Sequence, residues 1–237
     1  FVTVDGSVYS HTAILARTMN IPALVHTTVD LEEIQGKQGI VDGFDGILYV
    51  EPEEDLLFQM QKKQEVEEAK KEHLQTLMGR PSVTKDGKEI MLYANIGKVG
   101  DLPAALQNDA GGIGLFRSEF LYLEKDDFPT EEEQFETYKI VLDTMEGKRV
   151  IFRTLDIGAD KQVPYLGIAQ EENPALGYRG IRICLTHPEI FKTQLRALYR
   201  ASVHGKMAIM YPMIISLEEV RLIRKIVAEA KEELDVE

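Results

Sequence analysis

Three residues carry side chains whose type and setting can do anion chemistry. His11 lies one position past Ser10, a good helix N-cap, and follows a Gly6-Ser7 turn. At such a helix start the dipole and the free backbone N–H groups favour a negative charge, so a phosphate carried on the imidazole would be well held. The same dipole lowers the affinity of the ring for a proton and keeps a nucleophilic lone pair available. The plainer alternative is a histidine selected only for helix-start geometry. Arg117 follows the apolar run Gly112-Ile113-Gly114-Leu115-Phe116, and Arg153 follows Val150-Ile151-Phe152. Two guanidinium forks converging past apolar strands suit a phosphate or a carboxylate. Equally open is simple pairing of each with a nearby acid such as Glu119 or Asp156. Lys161 and Arg179 are further basic candidates. His26, His73, His187 and His204 have no such surroundings and read as surface or core residues.

The elements that must position these residues fall into three stretches. The first, residues 1–52, reads as a small α/β unit. It has strands at 1–4 and 22–25, a helix over 12–17, and a hairpin of 39–42 and 47–50 around Gly43-Phe44-Asp45-Gly46. Pro52 ends it. Residues 53–80 are charged and helix-forming, which predicts a long connecting helix stopped near Gly79-Arg80-Pro81. From 81 to 237 short apolar strands (90–96, 112–116, 150–155, 207–212) alternate with helices (102–108, 130–145, 188–203, 216–234), the pattern of a parallel sheet. Near-continuous apolar strands with arginines or acids just past their ends point to a barrel with its site at the C-terminal strand ends. Four strand–helix units are visible where a closed barrel has about eight. The chain opens at Phe1 inside a strand-like run and ends inside a helical pattern, so we expect a fragment.

Composition excludes some partners. The 237 residues are 44% hydrophobic, enough for a real core, and carry a net charge of −13, which argues against nucleic acid. No apolar run has the length of a membrane span, and no signal peptide is visible. The single cysteine, Cys184, rules out a disulfide within the chain and reads as a buried small hydrophobe. A cytoplasmic setting is the natural expectation.

Motifs along the whole chain carry a resemblance. Gly6-Ser7-Val8-Tyr9-Ser10-His11-Thr12-Ala13-Ile14-Leu15-Ala16-Arg17 resembles the phosphohistidine signature of the phosphoenolpyruvate-utilising enzymes. Tyr93-Ala94-Asn95-Ile96-Gly97, Gly112-Ile113-Gly114-Leu115-Phe116-Arg117-Ser118-Glu119-Phe120, Pro129-Thr130-Glu131-Glu132-Glu133-Gln134-Phe135, Arg153-Thr154-Leu155-Asp156-Ile157-Gly158, Glu172-Asn173-Pro174-Ala175-Leu176-Gly177-Tyr178-Arg179 and Met210-Tyr211-Pro212-Met213-Ile214 follow in the order found in enzyme I of the sugar phosphotransferase system.

That resemblance implies an α/β architecture in three parts: the tail of a swivelling phosphohistidine domain (1–52), a linker helix (53–80), and the first half of a phosphoenolpyruvate-binding (β/α)8 barrel (81–237). It implies His11 as the phosphate acceptor, Arg117 and Arg153 as the grip on phosphoenolpyruvate, and Lys161 and Arg179 as supporting cations. It further implies onward transfer to a histidine of the carrier protein HPr, dependence on Mg2+ held by ligands beyond Glu237, and a homodimeric parent protein. A relative of pyruvate phosphate dikinase or phosphoenolpyruvate synthase is an alternative with the same histidine, and a non-catalytic phosphoenolpyruvate-sensing module is an alternative of another class. The family's second glycine is Ser7 here and its usual threonine is Tyr9. Cys184 does not match the family's catalytic cysteine, and the fragment alone is expected to be inactive.

Overall fold

A computed structural model describes residues 1–6, 13, 16, 21–161 and 163–236. His11 lies outside the described residues, as does most of the helix expected around it; Ala13 and Ala16 are helical. The chain divides into two compact units, Phe1–Thr76 and Leu77–Glu237.

In the first unit the two N-terminal strands expected at 1–4 and 22–25 contract to a single parallel bridge, Val2 with Leu24. Thr3 N donates to Leu24 O at 2.9 Å and Leu24 N to Phe1 O at 3.0 Å. A one-turn helix α1 (Leu31–Ile34) is capped by Asp30, whose carboxylate accepts from Glu32 N. The expected hairpin forms from β1 (Gly39–Asp42) and β2 (Ile47–Val50), antiparallel in the register Asp42 to Ile47. Asp42 Oδ1 accepts from Phe44 N and Asp45 N and so shapes the turn, while Gly46 supplies the positive φ of 73° that closes it. Helix α2 (Glu54–Gln75) buries none of its residues. Its Lys63 reaches Asp42 at 2.6 Å and Asp45 at 2.8 Å, tying the helix to the hairpin turn. The Lys63 hydrogen bond holds the Asp42 carboxyl below the usual range, and the two acids hold the ammonium above it.

The second unit is a four-stranded parallel sheet whose strands lie in chain order: β3 (Ala94–Ile96), β4 (Gly112–Arg117), β5 (Arg149–Arg153) and β6 (Met207–Met210). The crossovers contain α3 (Leu102–Gln107), then α4 (Phe120–Leu123) and α5 (Glu131–Thr144), then α6 (Ile181–Thr186) and α7 (Pro188–Ala201); α8 (Leu217–Glu233) follows β6. Two helices start where local chemistry dictates. Thr130 with Glu133, and Ser216 with Glu219, form reciprocal capping boxes. Between the sheet and its helices lies a core of Ile113, Phe116, Val150, Phe152, Tyr138, Val141 and Leu198. The rings of Phe116, Phe152 and Tyr138 stack edgewise, with centroids 4.9 to 6.2 Å apart. A second cluster, including Leu155, Ile157, Ile181, Cys184, Phe191 and Ile223, closes the strand ends against α6, α7 and α8.

Strand β3 is shorter than its apolar run, 90–96. Ile90 N donates to Ser82 O, within a small turn that pairs Val83 with Glu89, and Leu92 is 62% exposed. That backbone is already engaged before the parallel ladder begins. Helices α1, α4 and α6, of four, four and six residues, lie outside the set expected from sequence.

Candidate anion-binding site at the ends of β4 and β5

Arg117 and Arg153 are the last residues of adjacent parallel strands and are register partners. The two arginines singled out from sequence therefore stand side by side at one strand end. Their surroundings differ. Arg153 is held from both sides: Nη2 donates to Glu119, and Nη1 lies 3.1 Å from Asp156 Oδ2. Arg117 has no carboxylate partner among the described residues. It rests on the ring of Phe120, its Cζ 5.0 Å from the centroid. So the question left open by sequence divides: the neighbouring acids take Arg153, and an aromatic face takes Arg117.

Gly97, just past β3, makes the second arrangement possible. A Cβ there would lie 2.5 Å from the Phe120 ring and 3.4 Å from Arg117 Nη2. Only hydrogen in place of a side chain lets the ring and the guanidinium come this close.

Lys161 and Arg179 join the same cluster. Lys161 Nζ reaches Glu119 Oε1 at 3.4 Å and the carbonyl of Asp156 at 3.0 Å. Arg179 donates to Asp156 Oδ1 at 3.2 Å and lies 3.4 Å from Asp160. Gly180 carries a φ of 57° and sets the backbone beside Asp156. Four cations thus face three acids, leaving a local positive excess in a chain of net charge −13.

Unmet hydrogen-bonding capacity concentrates here. Arg117 Nε, Arg153 Nε, Glu119 Oε2 and Thr154 Oγ1 are buried without a hydrogen-bond partner. Buried polar atoms normally find partners, and an ordered water or a bound polar group would supply them here. Two guanidinium groups with spare donors are suited to an anion with several oxygens.

Behind the site runs a fully buried polar chain. Ser118 Oγ donates to Arg153 O at 2.6 Å, bridging the ends of β4 and β5. Gln194, on α7, donates to Ser118 Oγ at 3.0 Å and to Tyr138 OH at 3.1 Å, and accepts from Leu155 N at 2.9 Å. Tyr138 OH donates in turn to Gln134 Oε1, and Gln134 Nε2 to Pro129 O. Burial pushes the phenol of Tyr138 well above its usual range, so it stays a neutral link. Sequence reasoning missed these groups. The available signal was a glutamine on the apolar face of each of two helices, Gln134 near Tyr138 and Val141, and Gln194 between Phe191 and Leu198.

Cys184 is wholly buried in the second core cluster, and burial pushes its thiol up to about 12. Among the described residues no three His, Cys, Asp or Glu side chains are grouped to hold a metal ion. The acids of the cluster are tied to guanidinium and ammonium groups, so these residues do not fit a divalent cation. No helix of the described residues is long and apolar enough to cross a membrane. A groove in the first unit, lined by residues such as Ile40, Leu57 and Met60, takes no part in the arginine cluster.

Comparison with known families agrees with this chemistry. The family described as PEP-utilising enzyme, PEP-binding domain, matches residues 71–237. The chain belongs to the PEP-utilising enzymes. A second family of this lineage, PEP-utilising enzyme, mobile domain, matches residues 1–46. The chain is 49% identical to the phosphoenolpyruvate-protein phosphotransferase of Staphylococcus carnosus over 235 residues, 99% of its own length and 41% of the relative. Its identity to the proteins of that name from Staphylococcus epidermidis and from Bacillus sp. (strain S) is 52% and 49%, with the same coverage. The chain thus spans about two-fifths of the length of the curated relatives it matches. In this PEP-utilising chain the arginine cluster lies wholly within the stretch matched to the PEP-binding domain.

Proposed function

We propose that this chain is part of a phosphoenolpyruvate-protein phosphotransferase, with Arg117 and Arg153 gripping phosphoenolpyruvate and His11 receiving its phosphate. The observation that carries the reading is the register pairing of the two arginines at neighbouring strand ends, each with a buried nitrogen left unpartnered. Phosphoenolpyruvate offers a phosphate and a carboxylate, two anionic groups for two guanidinium forks. Lys161 and Arg179 support the cluster through Glu119 and Asp156. We assign residues 1–52 to the tail of a phosphohistidine domain, 53–80 to a linker, and 81–237 to the first half of a (β/α)8 barrel. Four parallel strands in unbroken chain order, with a helix in every crossover, favour that barrel over a doubly wound sheet.

In the proposed reaction the imidazole of His11 attacks phosphorus in line. The N–P bond forms as the P–O bond to enolpyruvate breaks, and its electron pair leaves on the enolate oxygen, to be followed by protonation to pyruvate. The contribution of the arginines is to hold the donor and to neutralise charge. The phosphate then passes to a histidine of HPr. Mg2+, which the lineage uses, would be held by residues outside this chain, and the intact protein would be a cytoplasmic homodimer.

The test is intact-mass measurement of the full-length protein after incubation with phosphoenolpyruvate and Mg2+, beside its His11→Ala variant, at neutral or basic pH. Gain of one phosphoryl group by the wild type alone is expected. Binding of phosphoenolpyruvate with His11 unmodified would overturn the transfer reading.

A further inference from the structure

We propose that Glu119 is a positioning residue for phosphoenolpyruvate binding, a buried carboxylate that aims Arg153 and Lys161 at the substrate rather than a counter-ion that competes with it. The inference rests on the functional reading above and adds a residue that touches no substrate in it.

Glu119 is only 2% exposed. Its backbone is fixed at the entry to α4, where its carbonyl accepts from Tyr122 N and Leu123 N, each at 3.0 Å. Its side chain therefore starts from a rigid point, and Oε1 draws in two cations from different places along the chain: Arg153 at the end of β5 and Lys161 in the loop beyond it. With Asp156 on Nη1 and Glu119 on Nη2, the Arg153 fork is gripped at both terminal nitrogens. Of its five N–H donors two are thereby used, and the rest keep a fixed direction, the buried Nε among them. Lys161 is a flexible stem with a point charge, and Glu119 together with the Asp156 carbonyl is what localises it.

Two physical effects of this carboxylate oppose each other, and that makes the inference decidable. As a bare negative charge beside an anion site, Glu119 weakens substrate binding, and its removal tightens it. As an orienting group it pre-organises two cations, and its removal loosens binding. The two cations paired with Glu119 offset its charge, and its fixed backbone holds them in place, so the second effect dominates.

The experiment is equilibrium binding of phosphoenolpyruvate to the full-length protein in a His11→Ala background, where no transfer occurs, together with KM and kcat for phosphotransfer with His11 intact. We expect Glu119→Gln to raise the dissociation constant about tenfold or more, with KM rising in step and kcat changing less. Glu119→Asp, which keeps the charge but draws it back by one methylene, should fall between wild type and Gln. Unchanged or tighter binding by a folded Glu119→Gln variant would overturn the proposal and leave Glu119 a competing counter-ion. If the Gln variant does not fold, Glu119→Asp decides alone: weaker binding supports positioning, and wild-type binding refutes it. Arg117→Ala and Arg153→Ala separate the two levels. If both bind phosphoenolpyruvate like wild type, the functional reading itself fails; if both lose binding while the Glu119 variants do not, only this inference fails.

Discussion

Replacing Gln194 by leucine, a residue of similar size, isolates what the buried polar chain does for the site. The amide of Gln194 is wholly buried and makes three hydrogen bonds. In the variant Leu155 N loses its acceptor outright, and a buried N–H left unpaired costs about 1–3 kcal/mol. Ser118 Oγ and Tyr138 OH each lose one incoming bond but keep the one they donate, to Arg153 O and Gln134, for about 0.5–1.5 kcal/mol apiece. Burying a leucine in place of the amide returns about 1.5–3 kcal/mol. The midpoints of these ranges leave a local destabilisation of about 2 kcal/mol, equivalent to an open population raised about 30-fold. Hydrogen exchange of the full-length protein, read at peptides covering Leu155, measures it directly. Gln194→Glu supplies the internal control. It keeps an acceptor for Leu155 N but removes both donors and buries a carboxylate without a cation, so the loss at neutral pH should exceed that of the leucine variant. Unchanged protection of Leu155 in Gln194→Leu, or a Gln194→Glu variant milder than it, would refute the argument that this amide fastens β4 to β5.

Other expectations follow from the same geometry. Gly97→Ala drives a methyl group into the Phe120 ring, at a cost of about 1–3 kcal/mol; the ring and Arg117 must shift together, and titration of the full-length variant should show phosphoenolpyruvate binding weakened about tenfold or more, whereas wild-type affinity would separate Arg117 from its platform. Cys184, with its thiol pushed up by burial to about 12, should resist maleimide at pH 8 in the native protein and react once denaturant is added, as peptide-level mass spectrometry would record. The Glu133 carboxyl is held down to about 2 by its hydrogen bonds, first to Lys125 and then to Thr130. Its folded value lies below its unfolded one, so the stability it confers is present above about pH 4.5 and is lost as pH falls from there towards 2. Melting curves between pH 6 and 3 should flatten in Glu133→Gln, and an unaltered acid slope would remove Glu133 from that role.

The sequence made the arginines legible because they break the apolar pattern at strand ends, and it left their partners open for a physical reason. Glu119 lies two residues from Arg117 in sequence, yet it pairs with Arg153 across the sheet. The chain turns after Arg117 into the start of α4, and adjacent strands lie about 4.8 Å apart, so register decides the pairing more than sequence distance does. Register is a property of the folded sheet. Gln194 is hidden for the same reason, since its partners Ser118 and Leu155 come from strand ends far away in sequence. Helices with caps were legible almost to the residue: Thr130 and Ser216 open α5 and α8 with capping boxes that are local in sequence. The strand run at 90–96 was over-long because apolarity records burial or packing without recording which amides enter a ladder, and Ile90 N had already gone to Ser82.

What the fold adds to the arginines is therefore constraint. Ser118 and Gln194 fasten the backbones behind them, Gly97 withholds a Cβ so that Phe120 can carry Arg117, and Glu119 with Asp156 grips Arg153. These devices act differently on the two guanidinium groups. Arg153 has its positive charge largely matched by two acids and offers mainly direction. Arg117 has an aromatic face and a charge that no acid among the described residues neutralises, so an anion meets its larger electrostatic gain there. Arg117→Lys would keep the charge but lose the planar fork and its stacking, and Arg153→Lys would keep the ion pairs but lose the double grip. Binding of phosphoenolpyruvate to the full-length protein should accordingly fall further, and become less dependent on salt, in Arg117→Ala than in Arg153→Ala. Equal losses with equal salt dependence would show that the two arginines share the ligand's charge evenly, and that the asymmetry of their partners has no bearing on binding.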